Sequence, residues 1–161
     1  MGGTVNHGTF TVEREYPVVP ERVWAAFASA DEKRRWFAQE PGFVAETNSY
    51  EMDFRVGGAE RLDTMLVSGT HMVLESVFND IVPNERIVAT YDVLLNDRRI
   101  SVSLWSMQLF PTATGTRLLT TEHGAFLDDL DTNDQRRQGV ESDLEILAQY
   151  LAKEPAATIA G

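Results

Sequence analysis

The chain contains no cysteine, which removes disulfide frameworks, zinc ribbons, dithiol redox chemistry and thiol nucleophiles without fixing a redox compartment. No apolar run approaches the roughly 18–20 residues that span a bilayer. The opening residues MGGTVNHGTF have neither the basic nor the apolar region of a secretory signal. These absences predict a cytoplasmic protein outside the membrane. Positive charge is scarce: 14 Lys and Arg stand against 25 Asp and Glu, leaving a net charge of −11. Such a field repels phosphate backbones and anionic lipid surfaces, so neither nucleic acid nor a membrane is expected as a partner. The ordinary service of so much acid is solubility. Histidine is equally sparse, with only His7, His71 and His123. Without HxH, HExxH or a His-carboxylate spacing, no metal site and no cofactor are expected. SVSLWS lacks the GxSxG context of an activated serine. The RVGG run at 55–58 lacks the Lys and Ser/Thr of a phosphate loop and reads as a bend between strands.

What is present is an ordinary globular mixture of 161 residues, 43% apolar and 24% charged, long enough for one domain with a sizeable core. Residues 1–9 read as a flexible lead, 10–153 as the domain and 154–161 as a flexible tail. Phe10–Val19 mixes β-branched, aromatic and charged residues as a half-buried strand does. Pro17 and Pro20 stop it. PERVWAAFAS then starts a short helix with Pro at its first position and Val23, Trp24 and Phe27 at helical spacing. A second short helix, capped by Ser29 or Asp31, carries Trp36 and Phe37. From Gly42 to Thr121 the period becomes alternating. Strands are predicted at Tyr50–Val56, Arg61–Val67, His71–Ile81, Arg86–Leu94, Ile100–Phe110 and Thr116–Glu122, separated by turn-like SGT, VPNE, NDR and TATG. The last element is a long helix with caps in Asp131–Asp134 and an apolar stripe of Val140, Leu144, Leu147 and Leu151. Gly139 inside it reads as a mark of close packing.

This order predicts an α+β layer architecture: a curved antiparallel sheet of six to seven strands, two short helices after the first strand, and a long C-terminal helix laid over one sheet face. A bent sheet gripping a helix holds the helix ends and leaves its middle standing off, which opens space for side chains or a ligand. The segments EREYPVVPERVWAAFASADEKRRWF, YEMDFRVGGAER, FNDIVPNERIVATYD, RRISVSL and GTRLLTTEHGAFLDD resemble the helix-grip superfamily known as SRPBCC, START-like or Bet v 1-like. More narrowly they resemble bacterial homologues of the activator of the 90-kDa heat-shock protein ATPase, often labelled polyketide-cyclase-like. The resemblance runs from Phe10 to Leu151. It is specific for fold and far less so for function, because the superfamily hosts lipid carriers, hormone receptors, cyclases and co-chaperones.

Strand parity turns Tyr50, Met52, Phe54 and Val56 inward, followed by Met72, Leu74, Ser76 and Phe78. Ala89, Tyr91, Val93, Trp105, Met107, Leu109, Leu118, Thr120 and Glu122 continue the same face. Leu144, Leu147 and Tyr150 face them from the helix. Such a set reads first as a core, yet its methionines suit ligands of varied shape. The candidate ligand-binding residues are therefore Trp36, Met52, Phe54, Met72, Leu74, Phe78, Tyr91, Trp105, Met107, Glu122, Leu144 and Leu147, and the expected occupant is a small hydrophobic molecule. Glu122 is the sharpest of them. Inside an apolar chamber its carboxyl needs a partner, for which His123, Arg55, Arg86 and Tyr91 are the candidates, or a task. The alternative is that the strand end turns it out to water. As an acid or base it would serve a cyclase- or dehydratase-like reaction with Tyr91 or His123. His123 has the opposite parity and reads as bonded to a backbone carbonyl. Arg98, Arg99, Arg136 and Arg137 read as solvated surface. Val102 and Leu104 make one strand apolar on both faces, which suggests a homodimer or another protein contact; resemblance to the ATPase activator adds a co-chaperone role as a third reading.

Overall fold

The computed structural model describes residues 3–153. Ten elements follow in order: β1 (Val5–Tyr16), α1 (Pro20–Ala28), α2 (Ala30–Trp36), β2 (Phe43–Met52), β3 (Ala59–Leu66), β4 (His71–Val82), β5 (Arg86–Leu95), β6 (Arg98–Thr112), β7 (Gly115–Leu127) and α3 (Asn133–Lys153). The strands form one antiparallel sheet in the order β1-β7-β6-β5-β4-β3-β2. The α1–α2 pair carries the chain from one sheet edge to the other, and short turns return it through a meander. Register shifts at Val44/Ser49, Phe78/Asp80 and Val93/Leu94 add local bends to the twisting sheet. This is the expected α+β helix-grip arrangement.

Local chemistry explains the element ends. Pro20 opens α1 without needing its missing N–H, and the Ser29 hydroxyl accepts from the Glu32 N–H at 3.3 Å to start α2. Within the predicted cap region of α3, Thr132 Oγ1 accepts from the Gln135 N–H at 3.1 Å. Two strands sit earlier in the chain than the sequence reading placed them. β1 begins at Val5, so residues 5–9, read as a flexible lead, pair with β7 from Val5↔Leu127 to Thr9↔His123. β2 ends at Met52, leaving Val56 57% exposed in the following turn instead of on the inner face. The RVGG bend makes that turn: Gly57 N–H donates to Phe78 O and Phe78 N–H to Gly58 O. A Cβ on Gly58 would lie 2.1 Å from Asp53 O. The expected C-terminal tail at 154–161 lies outside the described residues.

Helix α3 is tied down along its length. Asn133 Nδ2 donates to Thr9 O at 3.2 Å, Tyr16 OH to Leu144 O at 3.0 Å, and Tyr150 OH to Glu32 Oε1 at 2.7 Å. Its second half, with Leu147, Tyr150 and Leu151, packs into a solid core with Val23, Trp24 and Phe27 of α1 and with Phe10 and Val12 of β1. A smaller cluster of Ala38, Tyr50 and Leu62 lies toward the β2 edge. On the outer sheet face, Val77, Thr90, Leu104 and His123 stand in one row across β4–β7. Val77, Val102 and Leu104 are 40–44% exposed there, as the two-sided apolar pattern of β6 predicted. Among the described residues no helix is long and apolar enough to cross a membrane.

Candidate ligand chamber

Between these two clusters lies a cavity of about 520 Å³, bounded by α2, β3–β7 and the first half of α3. Small inward residues create the space. Ser76, Ala89 and Thr120 line it on β4, β5 and β7, where larger side chains would fill the gap between sheet and helix. The helix therefore stands off along its N-terminal half, at Gln135, Arg136, Gly139, Val140, Asp143 and Leu144, rather than at its middle. Gly139, read as a close-packing glycine, is exposed and a Cβ there would meet nothing within 4 Å. It borders the chamber without supporting a neighbour.

Eight of the twelve candidate ligand-binding residues line the cavity: Trp36, Met72, Leu74, Tyr91, Trp105, Met107, Glu122 and Leu144. Met52, Phe54, Phe78 and Leu147 do not. Phe54 makes an edge contact with Trp24 at 5.7 Å and another with Phe78 at 5.1 Å. Leu147 is fully buried, and Met52 packs against both hydrophobic clusters. Phe54, just past the end of β2, packs between Trp24 of α1 and Phe78, and Leu147 belongs to the packed second half of α3. Trp36 is held at the chamber wall by its indole N–H, which donates to Ala26 O at 2.9 Å.

Glu122 points inward. It is 2% exposed and stands in register beside Trp105 and Phe10. Its partner is Tyr91, whose OH donates to Oε1 at 2.6 Å. The other three candidates are elsewhere: Arg55 pairs with Asp53, Arg86 with Asp80, and His123 Nδ1 lies 3.1 Å from the Thr9 hydroxyl on the opposite sheet face. His123 thus bonds a side chain, not the expected backbone carbonyl, and cannot share chemistry with Glu122. Oε2 of Glu122 has no hydrogen-bond partner among the described residues. Burial raises the Glu122 pKa, while the Tyr91 hydrogen bond and the Arg136 charge oppose the rise.

Arg136 is the principal correction at this end. Read as solvated surface, it is tucked under α3, with Nη1 donating to Tyr91 OH at 3.0 Å and Nη2 to Ser101 Oγ at 2.6 Å and Asp131 Oδ2 at 2.8 Å. Since a guanidinium only donates, the Tyr91 oxygen accepts from Arg136 and its own proton goes to Glu122. Arg98, Arg99 and Arg137 are at least half exposed, as expected.

A second polar group at the α2 end escaped the sequence reading. Lys33 Nζ lies 2.5 Å from Glu60 Oε2, both nearly fully buried, and Tyr50 OH also donates to Glu60. The ammonium sits 4.8 Å from the centre of the Phe37 ring. Across from it, Asp143 and Glu40 face the cavity. The Asp143 carboxyl is held well above its ordinary value, first by burial and then by Glu40 beside it. These residues carried periodic signals. Lys33 is one helical turn from Trp36, Asp143 lies between Val140 and Leu147 on the stripe, and Glu60 has the parity of Leu62; the predicted strand began at Arg61 and missed it.

A strongly bent seven-stranded sheet, two short helices after the first strand and a long C-terminal helix roofing a chamber define a helix-grip protein. The family model described as "Activator of Hsp90 ATPase homolog 1-like protein" matches residues 17–152. The chain belongs to that family, within the SRPBCC, Bet v 1-like superfamily. Among solved structures, a protein from Rhizobium leguminosarum is similar with 33% identity and a TM-score of 0.90, covering 96% of this chain and 100% of that one. The Mll3558 protein from Rhizobium loti is 40% identical with a TM-score of 0.83, covering 92% and 99%. An AHSA1-like protein from Aeromonas hydrophila, 18% identical with a TM-score of 0.69 over 91% and 93%, shares the fold. Among curated proteins, none matches the chain.

Proposed function

We propose that the protein binds a small hydrophobic molecule in the chamber between α3 and the sheet. The observation that carries this reading is the cavity itself: about 520 Å³ walled mainly by Trp36, Phe37, Leu62, Met72, Leu74, Trp105 and Met107, within the size range of small-molecule sites. A packed domain of this size has few voids larger than a water molecule. Two methionines in the wall adapt to occupants of different outline. A thermal-shift titration with 4-phenylbutanol tests it. The midpoint should climb with probe concentration as mass action requires, and Gly139→Phe, which puts a ring at the chamber's edge from an exposed position, should weaken the climb. A flat midpoint at all soluble concentrations overturns the reading.

One observation favours a second reading, acid–base catalysis on a carbonyl compound. Glu122 is a buried carboxyl of raised pKa, fixed by Tyr91 beside an open volume, which is the environment a general base needs. It would take a proton from the carbon next to a carbonyl and return it. Deuterium uptake by 4-phenyl-2-butanone in heavy water, abolished by Glu122→Gln, is the expected result; uptake no faster than in buffer contradicts it.

A further inference from the structure

The charges around the chamber do not balance. Five carboxyl residues line it, Glu40, Glu60, Glu122, Asp131 and Asp143, against two cations, Lys33 and Arg136. Each cation is already committed. Lys33 is 2.5 Å from Glu60, and Arg136 is 2.8 Å from Asp131. Among the described residues, Glu122 at one end and the Asp143–Glu40 pair at the other make no direct ion pair, and feel Arg136 and Lys33 only at longer range. Surplus acid alone says little, because carboxyl groups in a low dielectric can take up protons.

The second observation is the orphaned oxygen. Glu122 is 2% exposed and its Oε1 is taken by Tyr91, while Oε2 has no partner. Leaving a buried acceptor unmade is costly, more so when it carries charge. The Arg136–Tyr91–Glu122 chain fixes the proton direction, so that Tyr91 spends its only O–H on Oε1 and cannot serve Oε2. The missing partner must therefore come from inside the chamber. Among the described residues no wall side chain donates to it.

We infer that the chamber's ligand is a cationic amphiphile, an aromatic or aliphatic body bearing a protonated amine that donates to Oε2 of Glu122. This rests on the reading of the cavity as a ligand site and adds the chemical class of the ligand. The amine supplies both things the chamber lacks: a donor for the free oxygen and a positive charge against unpaired carboxyls. An anionic lipid head would do the reverse, setting like charges together in a medium that screens them poorly. The net charge of −11 also enriches cations near the protein, in the same direction.

Three probes with one apolar body separate the possibilities: 4-phenylbutylamine, 4-phenylbutanol and 4-phenylbutyrate, titrated by calorimetry at constant ionic strength. The amine should bind about tenfold tighter than the carboxylate, with the alcohol between them, as a charge-assisted hydrogen bond requires. In Glu122→Gln, amine affinity should drop about tenfold and alcohol affinity stay within about twofold. The wild-type ranking needs no variant, so a folding defect in the mutant leaves a decisive measurement. Carboxylate binding as tight as amine binding, or amine affinity unchanged in Glu122→Gln, overturns the inference while sparing the hydrophobic-ligand reading; the second result would mark the amine as drawn to the acidic surface. No binding by any probe overturns both.

Discussion

Glu122 and Asp143 are carboxyl groups held above their ordinary values in the folded chain, each chiefly by burial. The consequence for stability has a definite sign. A carboxyl whose folded pKa exceeds its unfolded one binds more protons in the folded state, so stability falls as pH rises between those two values. For Glu122 that window opens at the ordinary value of 4.5 and extends upward. Glu122→Gln removes this contribution, and urea denaturation across the window should show the variant gaining on the wild type as pH rises. A gap that stays constant with pH would contradict the raised value. The inward direction of Glu122 was legible, since its parity with Leu118 and Thr120 holds through β7. The partner was not singled out. Tyr91 lies 31 residues away in the chain, and only the pairing of β5, β6 and β7 brings the two together. Arg136 misled in another way: adjacent Arg136 and Arg137 look alike in sequence, yet helical rotation buries one and exposes the other.

Two glycines separate helices and turns that need the residue from those that tolerate it. In the turn from β2 to β3, Gly58 lies against Asp53 O and Arg55 O, so Gly58→Ala should cost more than about 1 kcal/mol, read as a lower urea midpoint. In α3, Gly139 has open space around its missing Cβ. Gly139→Ala should raise stability by about 0.5–1 kcal/mol through helix propensity alone, leaving 4-phenylbutanol binding in place; loss of stability would mean that close packing exists there after all. The strands and helices themselves were readable because alternation gave way to a 3.6-residue period at sharp Pro and Gly boundaries. The errors lie where a pattern is shared by both outcomes. Residues 5–9, VNHGT, show no clear apolar alternation, but β7 runs on to Leu127 and offers them an edge to pair with. Phe54 and Phe78 alternate in sequence as chamber residues do, but Phe54 lies past the end of β2 and packs between Trp24 of α1 and Phe78, which makes both core.

Across the whole molecule, the division between solid core and chamber follows from where bulk is spent. Val23, Trp24, Phe27 and Leu147 fill the space under the second half of α3. Ser76, Ala89 and Thr120 leave it open under the first half. Side-chain volumes at these positions were visible in the sequence, but their sum against the span between helix and sheet was not, because the standoff depends on how α3 is pinned at Thr9, Tyr16 and Glu32. The methionines report on this division directly. Met72 and Met107 line the chamber, whereas Met52 and Met65 lie outside it. The decisive measurement is a methyl NMR titration of protein carrying 13C-methyl methionine with 4-phenylbutanol. The account predicts saturable shifts at Met72 and Met107 with Met52 and Met65 nearly unmoved. Unmoved Met72 and Met107 signals at saturating probe, or shifts confined to Met52 and Met65, would contradict it.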